Sequence, residues 1–256
     1  MELIYIYIII GLIGGITAGM LGLGGRIIFV PGLLLVHKFT GQFDGYQLQA
    51  AVYTSIVCII FAGSSSAYFH FRNNLINFKL VRGYALVVSL GCLSGIFILE
   101  QISSESLEII YSIILVILAL LLISDAKIIK SNISTLRSIG QFYFLINGMI
   151  SSLMGIGGGT LSVPYISFLI NDIKKSIATA SVIGLIIAGA SMLFMFLINS
   201  DIFISKINHL SLLIIIPASI AGSYIGVSML NKIDSEKVKI IFSTLLIFIA
   251  IYVFID

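Results

Sequence analysis

Apolar residues dominate this chain in long runs, and short polar clusters interrupt them. Eight runs reach the roughly 20 residues that a helix needs to cross a bilayer: about 3–21, 47–69, 80–99, 105–124, 139–154, 176–199, 207–230 and 236–255. Two shorter apolar pieces, 27–36 and 160–170, each follow a glycine-rich break. The pattern predicts an all-α, polytopic transmembrane bundle with eight long helices and two short, broken crossings.

The breaks are the most informative feature. Gly22-Leu23-Gly24-Gly25, with Pro31 six residues after Gly25, returns 133 positions later as Gly155-Ile156-Gly157-Gly158, with Pro164 six after Gly158. Glycine runs disfavour helix because they lose the most backbone entropy on ordering. Freed backbone groups are tolerated at membrane depth only where protein buries them or they line a cavity. Proline suits a first helical turn and biases the preceding residue toward extended geometry. The expectation is therefore that 26–30 run extended and that Pro31 and Pro164 begin short helices. An extended 26–30 followed by a helical 31–38 reaches roughly 25–30 Å, close to the hydrocarbon thickness.

The duplication extends beyond the breaks. Residues 55–63 resemble 181–189, and 91–123 align without gaps to 222–254, where 11 of 33 positions are identical. If the short pieces cross, each half makes five passages. The second half then enters from the opposite face, as an inverted repeat. The expected organisation is 1–125 as the first repeat, 126–137 as a cytoplasmic linker and 138–256 as the second repeat.

Charge supports ten passages. With the N-terminus outside, inner loops hold twelve Lys/Arg and outer loops only Lys38 and Lys206, a strong bias under the positive-inside rule. Eight passages would divide the cations evenly. Both termini are then expected outside. The N-terminus, Met1-Glu2-Leu3-Ile4, lacks a basic n-region, so the first span is expected to be retained.

Composition agrees: 59% of residues are hydrophobic and 10% charged, against about 25% charged in soluble domains. Only Cys58 and Cys92 are present, read as small apolar fillers. No His/Cys cluster has metal-ligand spacing, so no metal or cofactor is expected. Basic residues are dispersed, which argues against nucleic-acid binding. No acid lies at the centre of a span, which disfavours a cation substrate. His37, His70 and His209 fall at segment ends and are expected at the interface.

Consecutive backbone N–H groups and helix N-termini attract anions. The candidate substrate site is therefore Gly22, Gly24, Gly25, Arg26 and Pro31 from the first break, and Gly155, Gly157, Gly158, Gly159, Thr160 and Pro164 from the second. Thr54, Ser55, Thr179 and Ser181, on the long helices that follow, add neutral hydroxyls. Arg26 stands where the second copy has Gly159, so the two breaks are chemically unequal. Gly91-Cys92-Leu93-Ser94-Gly95 superficially resembles an intramembrane serine site, but its duplicate has Ile225 in place of Ser94, and no catalytic residue is expected.

The paired stretches 15–31 and 148–164, with Ala51-Val52-Tyr53-Thr54-Ser55 and Ile177-Ala178-Thr179-Ala180-Ser181, resemble the TauE/SafE family of sulfite exporters and sulfonate permeases. The resemblance spans nearly the whole chain. It implies a secondary transporter in a bacterial inner membrane that moves sulfite, sulfonates, sulfoacetate or related sulfur-containing anions, with export as the expected direction. A channel-like anion facilitator and an intramembrane enzyme are the alternatives. The expected partners are a small anion and lipid, with a homo-oligomer open.

Overall fold

A computed structural model describes residues 2–21, 26–123, 133–155, 158–229, 244, 247–248 and 250–253. The elements are α1 (Glu2–Leu21), α2 (Arg26–Thr40), α3 (Gln47–Arg72), α4 (Phe78–Gln101), α5 (Ser104–Ile123), α6 (Ile133–Leu153), α7 (Gly159–Ile170), α8 (Ile173–Ser205) and α9 (His209–Met229). No strand occurs among the described residues. Five of these helices are long and apolar enough to cross a membrane, and α2 and α7 are shorter. Large apolar side chains such as Leu86, Phe97, Leu197, Leu213 and Phe248 face outward, as lipid-facing positions must.

Hydrogen bonds between helices fix their directions. The side-chain amide of Asn208, just before α9, donates to the Tyr7 hydroxyl, and its backbone N–H donates to Thr54 Oγ1. Farther along the same three helices, Ser66 Oγ donates to the Ala18 carbonyl and Ser223 Oγ to Ser65 Oγ. Thus α1, α3 and α9 run in parallel. Likewise Asn77 N–H to Thr179 and Cys92 Sγ to the Ile187 carbonyl align α4 with α8. Gln141 to the Gly83 carbonyl and Ser152 to the Cys92 carbonyl align α6 with α4.

Because α1 and α3 are parallel, the chain must travel the full return path along α2. The same holds for α7 between α6 and α8. Re-entrant hairpins are excluded, since they would make the flanking helices antiparallel. In contrast, α3 and its duplicate α8 run in opposite directions: Tyr53 meets Phe203 edge-on at 5.9 Å, while Gly63 faces Leu185. The second copy is inverted relative to the first.

The most extensive helix contacts are α1 with α9 and α4 with α6, which the duplication makes equivalent. Lipid supplies no hydrophobic drive between helices, so close approach through small residues does the work. A Cβ added at Gly15 would collide with the Ser219 carbonyl, and one at Gly91 with the Leu145 carbonyl. Helix α3 is the most deeply buried of the candidate spans.

Two expectations are corrected. Residues 26–30 are helical, so Pro31 and Pro164 lie inside α2 and α7 rather than starting them. The reason is that extended backbone at this depth would strand N–H and C=O groups, whereas helix pairs them from the first available turn. Proline inside a helix forfeits one backbone hydrogen bond, fewer than five extended residues would lose. Second, His37 and His70 are fully buried rather than interfacial. Segment 41–46 folds back over His37, with Phe43 edge-on to its ring at 4.9 Å, and the end of α1 covers His70. His209 is exposed, as expected. Of the stretch read as a linker, 126–132 lies outside the described residues, and α6 already begins at Ile133.

Candidate functional site

Gly22, Gly24, Gly25 and Gly157 lie outside the described residues. Arg26 opens α2 directly after the first break, and Gly159 opens α7 directly after the second. These equivalent positions keep their contrast of charge. Thr160 occupies the second position of α7. Pro31 is buried, whereas Pro164 is exposed.

The second break is built around Gly155 and Gly158. Gly155 has φ +60°, a left-handed geometry that costs glycine nothing and other residues about 1 kcal/mol or more. Its carbonyl accepts a 3.4 Å hydrogen bond from Ser55 Oγ, which also donates to Val52 O at 2.8 Å. A Cβ at Gly155 would lie 2.8 Å from that Oγ and 3.1 Å from both Val30 and Val52. The second break therefore packs on α3 and α2 of the opposite copy, within a turn and a half of where the first break ends. Ser55, Gly155 and Val30 near the start of α2 come together here.

The residue missed by sequence reasoning is Asn147. It is 1% exposed and stands on α6, facing the start of α7. Its side-chain amide donates to Ser162 Oγ at 2.8 Å and to the Gly158 carbonyl at 3.4 Å. Its Oδ1 accepts from Ser151 Oγ at 2.9 Å. These contacts hold the amide with its N–H face toward the break. The available signal was an asparagine inside an apolar run, 11 residues before Gly158. Such polar side chains in spans are costly unless they serve packing or function. The equivalents of Asn147 and Ser162 in the first copy are Gly14 and Phe29, and there the Phe29 ring fills the space above Gly14.

Thr54 and Thr179 do not join the breaks. Each accepts the backbone N–H of an asparagine at the mouth of a helix in the other copy: Asn208 for Thr54 at 3.1 Å and Asn77 for Thr179 at 3.0 Å. Those asparagines cap α9 and α4 through Oδ1, accepting from Ser211 N and Leu80 N. Ser181 donates to the Ala178 carbonyl within its own helix. Both cysteines are buried thiols, and Cys92 Sγ is the donor to the Ile187 carbonyl.

Charge is unequal at the two ends of the bundle. Arg72, Lys79, Arg82, Lys174 and Lys175 are exposed at the end where α3 finishes and α4 and α8 start. At the other end Lys38 pairs with Glu108 at 3.3 Å. Lys206 there sits 3.1 Å above the Tyr46 ring centroid, and partial burial lowers its pKa against the opposing pull of Glu100.

Residues 7–253 match the family model described as the sulfite exporter TauE/SafE. The chain belongs to this family. A probable membrane transporter, YunE of Bacillus subtilis, is 26% identical over 95% of this chain and 94% of its own length. Probable membrane transporters of Haemophilus influenzae and Methanocaldococcus jannaschii are each 27% identical, covering 98% and 95% of this chain and 98% and 92% of their own lengths. No solved structure matches. The protein is a membrane transporter with an all-helical transmembrane bundle.

Proposed function

We propose that this transporter binds a small sulfur-containing oxyanion, of the sulfite, sulfonate or sulfoacetate class, between its two glycine breaks. Alternating exposure of that site would follow as the inverted copies rock against each other. The observation that carries the reading is the oriented amide of Asn147 with Ser162 at the N-terminus of α7, beside Gly158. Neutral N–H and O–H donors at a helix N-terminus suit an anion that must also leave. The breaks supply the backbone, Arg26 draws anions to the first of them, and Gly159 leaves room at the second. The family supports export and an inner-membrane location, and the distribution of basic residues supports termini on the outer face.

A facilitator is the second reading, favoured by one fact: no Asp or Glu among the described residues is fully buried. A serine hydrolase is disfavoured, since Ser94 faces outward and donates to the Gly91 carbonyl of its own helix. Uptake of sulfite, sulfate, sulfoacetate, thiosulfate and taurine into proteoliposomes, with and without a pH gradient, tests the proposal. Saturable flux of at least one oxyanion is expected. Flux that fails to saturate favours the facilitator, and absence of flux for every anion overturns both.

A further inference from the structure

Segment 41–46, between α2 and α3, belongs to an extension that the second copy lacks. Residues 38–46 stand where α7 passes to α8 through Asn171 and Asp172 alone. Three positions in the segment have left-handed backbone: Gly41 at φ +63°, Phe43 at +60° and Gly45 at +76°. Glycine adopts that region freely, but a bulky residue such as Phe43 stays there only when its surroundings hold it. Phe43 is half-buried, and the rest of the segment is exposed.

Both copies hold the segment. Within its own copy, Phe43 leans edge-on against His37 at 4.9 Å, and Ser104 Oγ at the start of α5 donates to the Gly45 carbonyl. Across to the second copy, Gln42 Oε1 accepts from Asn208 Nδ2 at 3.1 Å. Two residues before Asn208, Lys206 Nζ lies 3.1 Å from the centre of the Tyr46 ring. Asn208 is a node. The same Nδ2 reaches Tyr7 on α1, its N–H reaches Thr54 on α3, and its Oδ1 caps α9. Thr54 precedes Ser55, whose hydroxyl donates to the Gly155 carbonyl of the second break. The exposed segment is thus connected to that break through Asn208, Thr54 and Ser55.

We infer that segment 41–46 is a latch: it fastens the two copies together at this end of the bundle, and it lets go of Asn208 and Lys206 each time this end opens to admit or release a solute. The inference rests on the rocking motion proposed above and not on which solute moves. The strength of the contacts suits the task. One hydrogen bond between neutral groups and one cation–ring contact are each modest, so both can break and re-form in every cycle. An exposed segment with few buried contacts opens at low cost, and the left-handed Phe43 stores strain that release relieves. In this structure the latch is shut. At the opposite end the second copy has no such segment: α7 stops at the left-handed Asn171, and Asn77, the counterpart of Asn208, caps α4. The two ends are therefore fastened unequally.

The test uses the full chain in proteoliposomes and has two arms. The first follows backbone hydrogen exchange, which needs no solute. Gln42→Ala removes the acceptor of the Asn208 amide, and exchange across residues 206–212 should quicken about fivefold, the worth of one such bond. Gln42→Glu keeps an acceptor oxygen and should exchange as wild type does. The second arm joins Tyr46→Cys to Lys206→Cys with a short bis-thiosulfonate linker that reductant cleaves; the native Cys58 and Cys92 are buried, away from the reagent. With sulfate and thiosulfate as probes, the linked protein should lose flux by more than about tenfold, as a lid held shut does, and regain it on reduction. Unchanged exchange across 206–212 in Gln42→Ala, or linked protein that carries anion at the unlinked rate, would overturn the latch and leave the anion site standing. If neither anion moves in the unlinked protein, the anion reading falls for these probes, and the exchange result decides the latch by itself.

Discussion

Two equivalent crossings carry different side chains. Where α1 meets α9 and α2, the space is filled by Ile10, Gly11, Gly32 and Ile215, with Gly32 pressed to Ile10 and Gly11 to Ile215. At the duplicate crossing of α6 with α4 and α7, the same four positions are Tyr143, Phe144, Tyr165 and Tyr84. Tyr84 stacks on Phe144 at 4.2 Å, and Tyr143 on Tyr165 at 4.4 Å. Beside them, Gly14 and Phe29 in the first copy stand against Asn147 and Ser162 in the second. The duplicated contact scheme survives a complete change of side chains. The backbone plan is thus held by close glycine crossings and helix caps, and the two centres are free to differ. One became apolar and the other polar and aromatic, as expected if a single ligand leans on unequal walls.

The largest effect should fall where the copies are alike. Gly15→Leu and Gly91→Leu each drive a side chain into backbone across a crossing. Overpacking of this kind costs roughly 3 kcal/mol or more, because backbone cannot step aside. Neither variant should yield monodisperse protein in detergent, and the two should fail equally. Normal yield and size-exclusion profile for either would break the equivalence of the crossings.

Next comes the second break. In Gly158→Leu, the new Cβ overlaps the end of the Ile187 side chain and lies 3.0 Å from Oδ1 and 3.1 Å from Nδ2 of Asn147. Side chains, unlike backbone, can yield, so insertion and folding should persist. Displacing the amide should cut oxyanion flux to below about 1% of wild type, the penalty typical of a misplaced binding group. Flux at wild-type level would discard this half of the site.

A swap between copies sharpens the comparison further. Ser162→Phe alone overfills the second centre and should lower thermal stability by about 1–3 kcal/mol. Adding Asn147→Gly recreates the Gly14 and Phe29 pair and should recover most of that loss, a coupling measurable as non-additivity in a double-mutant cycle. Flux should not return, because the polar contacts are gone. Additive destabilisation would mean that the two centres are not interchangeable in packing.

Sequence reading went far for the architecture because its signals are strong and repeated: span-length apolar runs, a twofold break and a one-sided distribution of Lys and Arg. The full return of α2 and α7 was inferred from charge and from the reach of the short segments, and the parallel run of α1 with α3 bears it out. Local backbone at 26–30 was misread because proline's preference for a first turn was given more weight than the backbone pairing that a helix from Arg26 provides. Burial of His37 and His70 was illegible because the end of a helix in sequence is not the surface in space. Asn147 was overlooked because one amide in an apolar run has no period and no partner until α6 and α7 are folded together. Thr54 and Thr179 were read as hydroxyls for the substrate; what they share in the fold is the anchoring of Asn208 and Asn77.

That anchoring predicts a smaller, symmetric effect. Thr54→Ala and Thr179→Ala each remove the acceptor of one backbone N–H. Each should cost about 1 kcal/mol, the net worth of such a bond plus the stranded donor. The two losses should match in thermal unfolding and add in the double variant, since the sites lie at opposite ends of the bundle. A drop in flux out of proportion to stability in either one would return that threonine to the transport site.

The smallest effect concerns the caps of α3 and α8. Asp172 precedes α8, and its Oδ1 accepts from Lys175 N at 3.1 Å. The equivalent residue ahead of α3 is Tyr46, which makes no side-chain cap and instead offers its ring to Lys206. The Lys175 N–H lowers the Asp172 carboxyl pKa, with the Lys175 charge adding to it. A depressed carboxylate contributes stability that is fully present above its unfolded-state pKa and is lost as pH falls through the folded value. Asp172→Ala should therefore lower the unfolding temperature slightly at pH 7 and not at all once the carboxyl is protonated. Tyr46→Ala should show no such acid dependence, because it removes no carboxylate. Equal acid profiles for the two variants would show that the cap contributes nothing.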